Sequence, residues 1–191
     1  MRKVIVTFGT FTLLFAFSTR ATDAPSVRPG TYVAATEIKD ALSKTDLSQR
    51  SDAVLRMFDA GNANIGVAVV HRPKAGKGMA GDAMRHSAVI EIYYVLQGRA
   101  TMMTGGTVLD AKPFSSVQES TGVGPSLRGT SVDTAGSEIR TIAPGDIIFV
   151  PVGAVHYISE VMEDLTLLVY RVDPMKVAKT RPMPPAVVAP Q

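Results

Sequence analysis

His86-Ser87-Ala88-Val89-Ile90-Glu91-Ile92-Tyr93-Tyr94-Val95-Leu96-Gln97-Gly98 is the stretch on which the fold of this chain turns. Four residues separate His86 from Glu91, and six separate Glu91 from Gly98. Residues 89–96 are mostly β-branched, aromatic or aliphatic, the composition of a strand. Strand alternation puts Glu91, Tyr93 and Val95 on one face and Ile90, Ile92 and Tyr94 on the other. A second stretch follows the same plan. Gly145 is followed after five residues by Pro151-Val152-Gly153-Ala154-Val155-His156. Two of the three histidines thus stand in short apolar segments, each beside turn-forming residues.

Outward from these stretches, the chain reads as strands. Residues 53–59 and 64–72 flank Ala60-Gly61-Asn62-Ala63, a hairpin turn. Residues 89–96 and 100–108 form a second pair about a turn at Gln97-Gly98-Arg99. Segments 139–142, 147–150, 155–160 and 165–171 complete the set. Short strands, Gly/Pro-rich turns and no long helical period predict an all-β sandwich or barrel. One short helix is expected ahead of them, capped by Thr36 and running through 37–42. Residues 110–137, rich in Ser, Thr and Gly, read as a surface excursion or disorder rather than a lid.

The spacing of the two stretches resembles the paired motifs of the cupin superfamily, G(X)5HXH(X)3-4E(X)6G and G(X)5PXG(X)2H(X)3N. Gly78, His86, Glu91 and Gly98 match the first, and Gly145, Pro151, Gly153 and His156 the second. The resemblance covers roughly residues 78–160 and implies a double-stranded β-helix, or jelly-roll barrel, in a single copy. It also implies a metal site of His86, Glu91 and His156, holding one divalent transition metal: Fe, Mn, Zn, Ni or Cu. Two imidazoles and one carboxylate suit such ions and leave coordination positions open.

The departures from the pattern matter as much. The first motif histidine falls at position 84, which here is Met84. Either protein donors number three, or the Met84 thioether contributes and favours copper, or His71 substitutes; a core-filling Met84 is the simplest reading. His71 shares the parity of Ile65, Val67 and Val69, and reads equally as a cavity residue or a surface histidine. Glu160 stands where the pattern has Asn. Tyr93 and Tyr157 are candidate pocket phenols, Tyr93 on the parity of Glu91. Arg85, Arg99 and Arg171 read first as solvated strand-end residues, the alternative being that one of them meets an anionic substrate.

Composition bounds the remaining possibilities. Arg2 and Lys3 precede a mostly apolar run at 4–17 and small residues suited to cleavage, the pattern of a signal peptide over residues 1–21. The expected organisation is then a linker and short helix at 22–50, the barrel at 51–175 and a Pro-rich tail at 176–191. The expected location is periplasmic or secreted, with no stable membrane span after cleavage. The chain carries 20 basic and 17 acidic residues, but losing Arg2, Lys3 and, in one frame, Arg20 brings the net charge to +1 or 0. No basic block with interleaved aromatics exists, so nucleic acid is not an expected partner. There is no cysteine, which removes disulfides and thiolate chemistry.

Three functions remain open: a metalloenzyme of dioxygenase or isomerase type, a barrel binding a sugar or small acid without turnover, and a degenerate cupin. A homodimer packed through outer sheet faces is expected.

Overall fold

The computed structural model describes residues 30–78, 81–114 and 122–180. The expected signal segment and the end of the Pro-rich tail lie outside these residues. Residues 30–32 are irregular and belong to a unit separate from the one that begins at Val33. The unit from Val33 onward holds the helix and every strand.

Helix α1 spans Ala35–Ser43, but Thr36 does not cap it. Ala34 takes the cap position, in an extended conformation, and Thr36 falls inside the first turn. The cap works through Glu37, whose Oε1 accepts the Ala34 N–H at 3.1 Å. Ile38 and Leu42, with Val33 and Leu55, pack on Val67, Val69 and Leu168.

Eleven strands follow among the described residues. They are β1 Ser51–Asp59, β2 Asn64–Arg72, β3 Ala83–His86, β4 Ile90–Thr104, β5 Thr107–Val108, β6 Lys112–Phe114, β7 Ser126–Gly129, β8 Val132–Asp133, β9 Glu138–Ile142, β10 Ile147–Val150 and β11 Val155–Asp173. Every pairing is antiparallel. β1 and β2 form the expected hairpin, closed by the Ala60 N–H on the Ala63 carbonyl at 2.9 Å. The main sheet runs β1-β2-β11-β3-β7-β6, with β4 pairing β11, β10 and β9, and β5 and β8 form a separate ribbon. The sheet curls on itself, because inward residues of β2, β4, β9, β10 and β11 meet in one core. Val70, Tyr93, Val95, Met102, Ile142, Val150, Leu165, Leu167 and Val169 belong to it.

Two expectations need correction. Gln97-Gly98-Arg99 is not a turn: β4 runs straight through it, and β11 joins the two strands expected at 155–160 and 165–171. Gly98 has φ +85°, and a Cβ there would lie 2.2 Å from the Asp164 carbonyl oxygen. The ladder slips in register at Glu163/Thr166, opposite Gly98. This is a bulge, and it reverses the facing of β4; β11 reverses earlier, at its own slip between Ile158 and Glu160. Before Gly98 the inward residues of β4 are odd (Tyr93, Val95); after it they are even (Ala100, Met102). On β11, Ile158 faces inward early, and Val161, Leu165 and Leu167 later.

The second correction concerns residues 110–137. They include β6, β7 and β8, and β7 pairs with β3 along its whole length. The described start of the tail is also fixed to the barrel. Lys176 Nζ meets Asp59 at 2.8 Å, and Asn64 Nδ2 donates to the Ala178 carbonyl at 2.9 Å.

Candidate metal centre

His86 ends β3, Glu91 is the second residue of β4, and His156 is the second residue of β11. A backbone contact joins the two sequence stretches. The turn at 151–154 closes by the Ala154 N–H on the Pro151 carbonyl at 3.1 Å, and the Gly153 N–H donates to the His86 carbonyl at 2.8 Å. Gly153 has φ +78°, a conformation that a side chain would strain. His156 is therefore aimed by a turn anchored on the backbone of His86.

Glu91 Oε2 stands 3.3 Å from His86 Nε2 and 3.4 Å from His156 Nε2, and all three side chains are buried. These separations exceed the roughly 2.7–2.9 Å of a charge-assisted hydrogen bond. They suit two donors that each sit about 2.1 Å from a shared ion, which stand about 3.0–3.4 Å apart at tetrahedral to octahedral angles. One ligand atom from each residue lies within 4.8 Å of the others, and no other such group occurs among the described residues.

The surroundings fit a metal. Ser126 Oγ donates to the Gly124 carbonyl at 3.0 Å and lies 2.7 Å from His86 Nδ1. With its hydrogen on Gly124, the hydroxyl accepts from Nδ1–H, and the lone pair of His86 is left on Nε2, facing Glu91. Burial, opposed by Glu91 and assisted by His86, pushes the His156 imidazole down to about 4 from its ordinary 6.5. It is a neutral donor near pH 7. His156 Nδ1 is buried near the Ala154 backbone without a hydrogen bond, so this ring lacks the support that Ser126 gives the other.

Glu91 is held from two sides. Arg171 Nε donates to Oε1 at 2.9 Å, and the Tyr93 hydroxyl donates to Oε2. Burial alone would raise the Glu91 carboxyl, but His86, Arg171 and His156 outweigh it and hold it well below the usual carboxylate range. Burial and Glu91 push the Tyr93 phenol well above its ordinary value, so it stays a hydrogen-bond donor. Arg171 also reaches Asp52 at 2.6 Å. Its burial is outweighed by Asp52 and Glu91, and the guanidinium stays charged.

The triad opens onto a cavity of about 480 Å³, lined also by Met84, Tyr93, Arg50, Arg72, Asp82, Phe114, Val123 and Arg128. That size suits a small molecule. Met84 pairs with His156 in the β3–β11 ladder and forms part of the cavity wall. Tyr157 packs on Ala83, Met103 and Val155 and borders only a smaller adjoining cavity. His71 is neither in the cavity nor at the surface: it is buried, and its Nε2–H donates to the Leu47 carbonyl at 3.0 Å. Nor is Arg171 a solvated strand-end residue; it is 3% exposed. Ser126, Asp52, Arg50 and Arg72 were not legible as site residues in the sequence.

No family model and no curated protein matches the sequence. Solved structures overlap it in part. The DMSP lyase DddQ from Ruegeria pomeroyi shares 19% identity at a TM-score of 0.40, over 70% of this chain and 51% of that one. The Cnp3 cupin domain of Schizosaccharomyces pombe shares 15% at 0.41, over 69% and 66%. A putative sugar phosphate isomerase from Acidithiobacillus ferrooxidans shares 17% at 0.40, over 74% of each chain. The chain spans about half the length of the first and just under two thirds of the second. Within this chain, residues spaced as in both motifs close on one point inside one curled antiparallel sheet, the β-barrel architecture that the cupin resemblance implies.

Proposed function

We propose that this chain is an exported, metal-binding cupin in which His86, Glu91 and His156 hold one divalent transition metal, and that it is a small-molecule metalloenzyme of dioxygenase or isomerase type. One observation carries the reading: two imidazole Nε2 atoms approach a single Glu91 oxygen at 3.3 and 3.4 Å, in a buried pocket. A bound metal would supply Lewis acidity or, if iron, dioxygen chemistry. The protein's own part is positional. Ser126 sets the ring state of His86, Arg171 and Tyr93 fix the Glu91 carboxylate, and the barrel wall limits water around all three.

A non-catalytic barrel that binds a small ligand is the second reading, and one feature favours it. Every carboxylate lining the cavity is paired with an arginine: Glu91 and Asp52 with Arg171, and Asp82 with Arg128 at 3.7 Å. None stands unpaired to act as a base.

Export rests on the basic and apolar pattern of residues 1–21. A homodimer is supported by the outer sheet face, where Phe149 opposes Ile92 and Ile147 opposes Tyr94. Phe149 is 65% exposed and Ile147 56%.

The test is elemental analysis of untagged protein purified without chelator. Near-stoichiometric transition metal, lost in His86→Ala and in His156→Ala, is the expected result. Protein that holds no metal and takes up none on addition would overturn the site.

A further inference from the structure

The metal cavity carries a charge imbalance that its metal ligands do not explain. Four arginines line it, against Asp52, Asp82 and Glu91. Arg171 engages both Glu91 and Asp52, and Arg128 faces Asp82. Arg50 and Arg72 remain, and neither meets a carboxylate among the described residues. Arg72 is partly buried at the end of β2, and its Nη1 donates to the Ser51 and His71 carbonyls at 2.8 Å each. A guanidinium has five N–H donors, so the rest of the fork is uncommitted to protein partners. Arg50 directly precedes β1, whose Ser51 pairs with His71 across the hairpin. The two arginines are thus neighbours, and Arg50 makes no hydrogen bond within the described protein.

Two like charges share one wall, and the partly buried Arg72 guanidinium, with Arg50 beside it, is stabilised by a counter-ion. Burial first, and then the charge of Arg50, lower the Arg72 guanidinium from its ordinary value, and the opposing charge of Asp52 does not offset them. Both residues also line the smaller cavity, together with Met84, Tyr93 and His156. A molecule held by them therefore lies beside the proposed metal ligands.

We propose that Arg50 and Arg72 form an oxyanion subsite, and that the ligand of this cavity is a small organic acid whose carboxylate they hold while its other end faces the metal position. A neutral sugar would leave both charges uncompensated. The carboxylate subsite stands on the arginines; only the orientation of the other end rests on the metal reading.

The test is calorimetric titration of the full chain, metal-loaded and chelator-treated, with glycolate, succinate, inorganic phosphate and glucose, metal content being read on each sample. At least one of the two acids is expected to bind, and glucose is not. Arg50→Gln with Arg72→Gln is expected to weaken that acid at least about tenfold, as lost charged hydrogen bonds should, with metal content unchanged. Should Arg72→Gln loosen the β1–β2 hairpin, Arg50→Gln alone, at an exposed position, is expected to weaken it by about threefold or more. Unchanged acid affinity in the variants, or glucose binding without either acid, would overturn the subsite. Tighter phosphate than acid binding would overturn the carboxylate assignment. A wild type that takes up no metal on loading, yet binds the acid in a way that depends on the arginines, would sink the metal reading and leave the subsite standing.

Discussion

Arg171 stands directly opposite Glu91 across the β4–β11 ladder and hydrogen-bonds its carboxylate at 2.9 Å, while its far side reaches Asp52. One buried cation thus ties the metal-facing strand to the outer hairpin. Removing one member of such a buried group leaves an uncompensated charge, which typically costs about 3–5 kcal/mol.

Arg171→Met is accordingly expected to destabilise the metal-free protein by about that amount in urea unfolding. Adding Glu91→Gln should recover part of the loss, since one stranded charge then disappears. An unchanged midpoint in Arg171→Met would mean that the pair contributes nothing to stability.

Ser126→Ala removes the hydroxyl that accepts from His86 Nδ1 while leaving the imidazole in place. Supporting groups of this kind are worth about 10–100-fold in metal affinity. Competition titration against a chromophoric chelator should show a loss in that range with little change in folding. Equal affinity would assign Ser126 to packing alone.

Acid should weaken the metal-free fold as His156 is forced to take up a proton. Its imidazole is pushed down to about 4 in the folded chain from an ordinary 6.5. Below 6.5 the unfolded chain binds a proton that the folded chain refuses, so this contribution is complete above 6.5 and is lost as pH falls toward 4. By pH 5 the loss amounts to about 2 kcal/mol. Glu91, held well below its ordinary range, acts in the same direction at lower pH, its contribution disappearing as the folded carboxylate protonates. Urea midpoints measured from pH 8 to pH 4.5 should fall on acidification, and His156→Gln should flatten the upper part of that fall. A midpoint constant from pH 7 to pH 5 would contradict the burial of a neutral imidazole.

Phe149→Glu places a charge at the centre of the exposed apolar face of β10 and β4. If copies associate there, light scattering should report a dimer for the parent chain and a monomer for the variant. A parent chain that is monomeric at high concentration would remove the proposed interface.

What the sequence disclosed, and what it hid, divides along physical lines. Glu91 and Tyr93 occupy one uninterrupted stretch of strand, where alternation alone assigns their common face. His86 and His156 were legible because turn residues at fixed spacing bracket them. Arg171 was hidden because its facing depends on slips in the ladder between 158 and 167 that no periodicity announces. Arg72 was hidden for another reason. β2 is covered on both faces, by the barrel core on the side of Val70 and by α1 on the side of Val67 and Val69. With no polar face, its alternation does not say which side is inward, so His71 stays open in the sequence between cavity and surface, and the structure buries it against Leu47 instead. Ser126 comes from a polar segment, 40 residues from His86, and reaches it only because β7 pairs with β3.

The bulge at Gly98 makes chain length itself a coding variable in this protein. Deleting that one residue would not shorten a loop; it would put the two halves of β4 in phase. Glu91, Tyr93, Ala100 and Met102 would then share one face of a regular strand, and only the bulge would be lost. A residue inserted between Tyr93 and Gly98, with the bulge kept, does the opposite: if Ala100 and Met102 stay inside, Glu91 and Tyr93 point to solvent. The barrel then remains closed and apolar while the ligand set is turned inside out, so that insertion separates folding from metal binding.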